Sequence, residues 1–198
     1  MRRPKAVAGL AFFLTATVSG CSDRLVPTDA SRAAAPGSTL AAKGVSHSGA
    51  IVAHDSCDPD SFNAALGEGT CVKNGPTTFD AFIGELAATQ TARAWRFNPL
   101  LATARAGQNM LAQNVGGEVH TFTPVREYGG GFIPELNALS NNPVPAPECL
   151  DFARIDFVAG GEKSIIPAAD LASVADAGGV ARVLCCLHPW MRADVRIK

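Results

Sequence analysis

The feature that most constrains this chain is Cys185-Cys186-Leu187-His188-Pro189-Trp190-Met191, which sets thiolate, imidazole and thioether donors within one short loop. The pattern Cys-x-x-His-x-x-Met implies a tight turn between two strands, with a further donor arriving from elsewhere. His120, far upstream in Gly117-Glu118-Val119-His120-Thr121-Phe122, is the candidate. The other histidines, His47 and His54, lie in or beside a polar, small-residue stretch and read as solvated. Soft sulfur suits Cu(I), while imidazole suits both oxidation states of copper. A weak axial thioether is a poor zinc ligand, which argues against a zinc reading.

The surrounding pattern is one of short strands. From Trp95 onward, apolar runs alternate between turn signals at Asn98-Pro99, Ala106-Gly107, Gly116-Gly117, Gly129–Gly131, Gly160-Gly161 and Gly178-Gly179. Such spacing predicts an antiparallel sandwich or barrel. At the C-terminus Ala193, Val195 and Ile197 alternate with Asp194, Arg196 and Lys198, giving one buried and one wet face. Pro167, Asp170 and Leu171 open a short helix before Gly178. Upstream, Phe79, Phe82, Ile83, Leu86 and Ala87 recur with helical spacing, which predicts an amphipathic helix over 78–90. Thr77 and Asp80 are spaced to cap its start. The apolar face of this helix is expected to bury against the outside of the following β-domain. Before it, Cys57 and Cys71 enclose a loop with a turn of helix ending at Gly67.

The N-terminus carries an address. Arg2, Arg3 and Lys5 precede the apolar run Ala6–Val18, which is too short to span a bilayer comfortably. It ends in Val18-Ser19-Gly20-Cys21. The whole reads as a signal peptide, and its ending resembles a bacterial lipobox. That resemblance implies cleavage before Cys21, a lipid on its sulfur, and an exported protein anchored in the cell envelope. Ser22 resembles the outer-membrane sorting position of Gram-negative lipoproteins. Residues 22–50 are rich in Ala, Ser, Gly, Thr and Pro, and read as a flexible tether of roughly 30 Å root-mean-square span. Losing residues 1–20 moves the formal net charge from −1 to about −4, which argues against nucleic acid as a partner.

The ligand loop resembles that of the plastocyanin/azurin family, the cupredoxins, with the short spacing of amicyanin. Trp95-Arg96-Phe97-Asn98-Pro99 resembles the family's first strand, and Ala106-Gly107-Gln108 with Asn114 resembles the approach to the first histidine. The resemblance covers about 93–198. It implies an all-β fold, a Greek-key β-sandwich (cupredoxin-like) preceded by a short helical segment. It implies one mononuclear type 1 copper held by His120, Cys185, His188 and a weak axial Met191. It also implies that His188 lies near the surface as the electron portal, with Pro189 and Trp190 in an apolar docking patch. The expected organisation is therefore a signal peptide over 1–20, a lipidated Cys21 and tether over 21–50, a disulfide loop and helix over 51–92, and the copper-binding domain over 93–198.

Of the adjacent cysteines, only Cys185 leaves two residues before His188. Neighbours on a strand point to opposite sides, so Cys185 is assigned as ligand. Setting aside Cys21 and Cys185 leaves four cysteines, an even number for an exported protein. Three connectivities are open, of which Cys57–Cys71 with Cys149–Cys186 is preferred. A Cys185–Cys186 disulfide would consume the ligand. The chain departs from the family in placing Thr121 where many relatives have Asn, and in its 129–132 and 137–149 segments, which match nothing in the family pattern.

The expected function is that of an electron carrier, not an enzyme, exchanging single electrons with a redox protein such as a cytochrome or an oxidoreductase. Multicopper oxidases and nitrite reductases need His-x-His pairs, and the chain has none. The alternative is a periplasmic copper-binding or delivery protein. The chain's three methionines, one of them the initiator, are few for that role. A third reading is a binding module that retained the fold without the metal.

Overall fold

A computed structural model describes residues 47–198. The signal peptide, Cys21 and most of the tether lie outside the described residues. No described helix is long and apolar enough to cross a membrane.

Ten strands build the fold: β1 (His47–His54), β2 (Arg96–Asn98), β3 (Leu101–Ala104), β4 (Asn109–Asn114), β5 (His120–Thr121), β6 (Thr123–Val125), β7 (Phe157–Val158), β8 (Lys163–Ile166), β9 (Val180–Leu184) and β10 (Arg192–Ile197). One sheet has the order β2-β1-β4-β8, the second β3-β10-β9-β6, and β5 pairs with β7 in a small ribbon. The sheets are mixed: β1 runs parallel to β4 and β10 parallel to β3, while the other pairs are antiparallel. Strand alternation explains the core. Ile51, Ala53, Met110 and Ala112 from one sheet and Ala181, Val183, Ala193 and Val195 from the other are buried in one hydrophobic cluster.

The sandwich begins earlier than the sequence pattern suggests. β1 starts at His47, inside the stretch read as tether, and sits in the interior of its sheet between β2 and β4. The segment Arg96–Asn98, read as the first strand, is thus the second. The 47–54 run is small and weakly patterned, and pairing with β2 and β4 on both edges is what makes it a strand.

Among the described residues four α-helices decorate the sheets: α1 (Pro59–Leu66), α2 (Phe79–Thr89), α3 (Pro134–Leu139) and α4 (Ala168–Val174), with a 3-10 helix over Pro147–Leu150. The Asp58 side chain caps α1 by accepting from Ser61 N–H at 3.0 Å. α2 is capped by Thr78, which accepts from Ala81 N–H at 3.3 Å, and not by Thr77 with Asp80. Thr77 is occupied elsewhere: its N–H donates to Ser56 O at 2.9 Å and its hydroxyl lies 2.7 Å from that of Ser56. A Cys57–Cys71 disulfide closes the loop around α1.

The connection from β6 to β7 carries α3 and the 3-10 helix. Gly131 lies so close to the main chain of Cys186 that a Cβ would fall 1.8 Å from its carbonyl oxygen. This approach lets Phe132 N–H donate to Cys186 O at 3.0 Å. A Cys149–Cys186 disulfide fastens the 3-10 helix to the same point.

Candidate metal centre

β9 ends at Leu184 and β10 begins at Arg192, so Cys185 to Met191 forms the connection between them. The connection is tightly self-bonded. Cys185 N–H donates to Met191 O at 3.1 Å, His188 N–H to Cys185 O at 3.2 Å, and Met191 N–H to His188 O at 2.8 Å. Cys185 Sγ therefore comes to 3.7 Å from His188 Nδ1 on its own loop, and to 3.7 Å from Nδ1 of His120 on β5. The three donor atoms lie within 4.8 Å of one another and all three residues are buried. An ion with bonds of about 2.0 Å to nitrogen and about 2.3 Å to sulfur fits between them. Met191 is buried at the end of the loop, 1% exposed.

Cys185 and Cys186 face opposite ways. Cys185 is free and belongs to the main core, whereas Cys186 is bonded to Cys149 within a second cluster containing Val125, Ala146 and Leu184. Thr121 stitches the two donor strands together. Its N–H lies 3.4 Å from Cys185 Sγ, and its hydroxyl oxygen accepts from Cys186 N–H at 2.7 Å. Thr121 thus ties the strand of His120 to the loop that carries Cys185.

Two carboxylates stand behind the imidazoles, and sequence reading singled out neither. Asp55, just after β1, places Oδ2 2.9 Å from His120 Nε2, with side-chain exposures of 1% and 0%. Its oxygens also accept from Gly117 N–H at 2.9 Å and Glu118 N–H at 3.1 Å. Glu118 Oε2 lies 3.7 Å from His188 Nε2, an ion-pair distance rather than a hydrogen bond, and accepts a short bond from Trp95 Nε1. Both imidazoles therefore turn Nδ1 toward sulfur and Nε2 toward a carboxylate.

The electrostatics follow from burial set against these partners. Burial disfavours the Asp55 anion, but bonds from His120 and the Gly117 amide outweigh it and hold the carboxyl below its ordinary range. Burial also opposes the His120 cation, yet Asp55 and Cys185 raise its pKa to about 9. The Cys185 thiol, although buried, is drawn well below its usual value by the two imidazoles. Burial dominates at Glu118 and raises its carboxyl, against the pull of His188 and Trp95. The two imidazoles thus favour the Cys185 thiolate, the form that binds metal.

The surroundings of His188 overturn one expectation. It is 4% exposed rather than open at the surface. Phe82 of α2 stands against it with ring centroids 6.4 Å apart, Trp190 lies 5.4 Å away, and Pro189 is buried. Phe82 also packs on Trp95 and Trp190, at 4.5 and 5.9 Å. α2 therefore does not lie on the outside of the sandwich. Its apolar face covers the metal end. The amphipathic face itself was the signal in the sequence.

No protein-family model matches the chain, and no curated protein is significantly similar to it. Among solved structures, it is similar to a purple cupredoxin from Nitrosopumilus maritimus, at 12% identity over 76% of this chain and 100% of that one, with a TM-score of 0.39. Auracyanin from Roseiflexus castenholzii matches at 17% identity over 52% of this chain and 87% of its own, TM-score 0.31. A copper-containing nitrite reductase from Thermus scotoductus matches at 15% identity over 52% of this chain and 20% of its own, TM-score 0.31. These are distant likenesses. The chain's own two sheets position a buried Cys/His/His group, two of whose members lie on the loop between the last two strands and the third on β5.

Proposed function

We propose that this chain is an exported, lipid-anchored electron carrier holding one copper through His120, Cys185 and His188, with Met191 as a weak axial ligand. The observation that carries the reading is the pair of 3.7 Å edges from a buried, free thiolate to two imidazole Nδ1 atoms. Soft sulfur with two nitrogens is the trigonal donor set of electron-transfer copper sites, and copper bound there supplies one-electron chemistry between Cu(II) and Cu(I). The chain's part is to hold that donor set still. Thr121, the loop hydrogen bonds and the Cys149–Cys186 disulfide restrain the three donors, so that little has to move when charge changes.

Anchoring at Cys21, with the outer membrane favoured, is supported by the lipobox-like Val18-Ser19-Gly20-Cys21 and the Ser that follows. The partner proposed is a one-electron redox protein, such as a cytochrome or an oxidoreductase.

The test is the visible spectrum of the purified protein with copper and a mild oxidant. A strong band near ~600 nm that bleaches on reduction and returns on reoxidation is expected of a thiolate–copper site. Tight copper binding without that band would replace electron carriage by storage or delivery.

A further inference from the structure

We propose that Asp55 is a positioning residue for His120: it fixes the ring with Nδ1 free for the metal and draws the reduction potential of the bound copper downward. The inference rests on the copper reading above and deepens it.

Asp55 belongs to the N-terminal strand segment, and His120 lies 65 residues later. The carboxylate is enclosed. Besides His120 it meets only N–H donors, from Gly117, Glu118 and, at 3.4 Å, Cys57. An ionised carboxylate only accepts, so His120 donates from Nε2, and in the neutral ring that ligates a metal the free nitrogen is Nδ1, which faces Cys185 Sγ. Room for this contact is built into the backbone. A Cβ on Gly116 would lie 1.9 Å from Asp55 Oδ2, so the turn can close over the carboxylate only with glycine there.

A carboxylate on the far nitrogen raises the donor strength of a ligating imidazole. A fixed negative charge behind the ring also stabilises the more highly charged oxidation state. Both effects favour Cu(II) over Cu(I). The metal's potential is thereby tied to a strand at the far end of the domain sequence, which accounts for an acid buried where only its charge distinguishes it from an amide.

The experiment compares wild-type protein with Asp55→Asn, each loaded with copper, by visible spectrum, spectroelectrochemical midpoint and Cu(II) affinity. Asparagine still offers an oxygen to the backbone N–H groups but no charge. The expected result is a retained thiolate band, a more positive midpoint, and Cu(II) binding weakened on the order of 10–100-fold. A blue variant with unchanged midpoint and affinity would overturn the inference and leave the copper reading intact. A wild-type protein without the band would remove the copper reading, and the inference with it. A second measurement needs no variant. Long-range proton–nitrogen spectra of the diamagnetic Cu(I) form should show His120 protonated at Nε2, and protonation at Nδ1 would equally refute the role.

Discussion

Phe82 and the imidazole of His188 form a T-shaped pair, with ring centroids 6.4 Å apart and planes at 88°. The contact joins an N-terminal helix to the loop that carries two further candidate donors. Phe62 and Trp95 continue the aromatic packing behind it, at 5.6 and 4.5 Å from Phe82. The helical segment therefore packs its aromatic face against His188 at the candidate metal centre.

Removing that ring should open the centre. Phe82→Ala is expected to cost about 3–5 kcal/mol of stability and to speed electron self-exchange of the copper form. It should also admit small anions such as azide, seen as a shift of the copper band. A loss of stability with unchanged exchange and no azide response would reduce Phe82 to a core residue.

The two adjacent cysteines should separate cleanly. Cys185→Ser is expected to abolish the thiolate–copper band. Cys186→Ser, made together with Cys149→Ser to avoid a stray thiol, should keep it while lowering stability by about 2–5 kcal/mol. Spectra and denaturant unfolding read the two effects independently, and a blue Cys185→Ser protein would refute the ligand assignment.

Thr121 tests the link between donor strands. Thr121→Val leaves the buried Cys186 N–H without its acceptor and should cost about 1–3 kcal/mol, with a broadened or displaced copper band. Thr121→Ser keeps the hydroxyl and should restore both. If valine leaves the band and the unfolding midpoint unchanged, the bond is not a restraint on the site.

The cap of α1 should report acid. The Asp58 carboxyl is held below its usual range, first by its bond to the Ser61 side chain and then by the Ser61 amide. A depressed carboxyl contributes stability that is present above its unfolded pKa, about 3.9, and is lost as pH falls through the lower folded value. Asp58→Asn keeps a capping oxygen without the charge. Its deficit in melting temperature should be constant above about pH 5 and shrink below about pH 4. A deficit independent of pH would show that the charge contributes nothing.

Much of the local structure was written in short-range pattern. Helical spacing marked α2 to within a residue at each end, because a single apolar face is legible from side-chain identities alone. The alternation at Ala193 and Val195 marked β10 for the same reason. The cap of α2 was misplaced because Thr77 had a competing partner in Ser56, which no local pattern reveals. β1 went unseen because its residues are small and its strand character comes from neighbours on both sides.

By itself, the sequence determined which atoms were available: a thiolate, an imidazole and a thioether within one turn, with a further imidazole upstream. Donor chemistry is a property of side-chain type, and loop spacing limits where those donors can go. Only the tertiary structure decided what stands behind and above them. Asp55 on His120, Glu118 beside His188 and Phe82 against the same imidazole are contacts between residues that share no periodicity. Asp55 is 65 residues from its histidine, and Phe82 still further from His188. Such contacts exist because two sheets and a helix close on one buried volume, where a carboxylate or a ring takes on a role that its position in the chain does not announce.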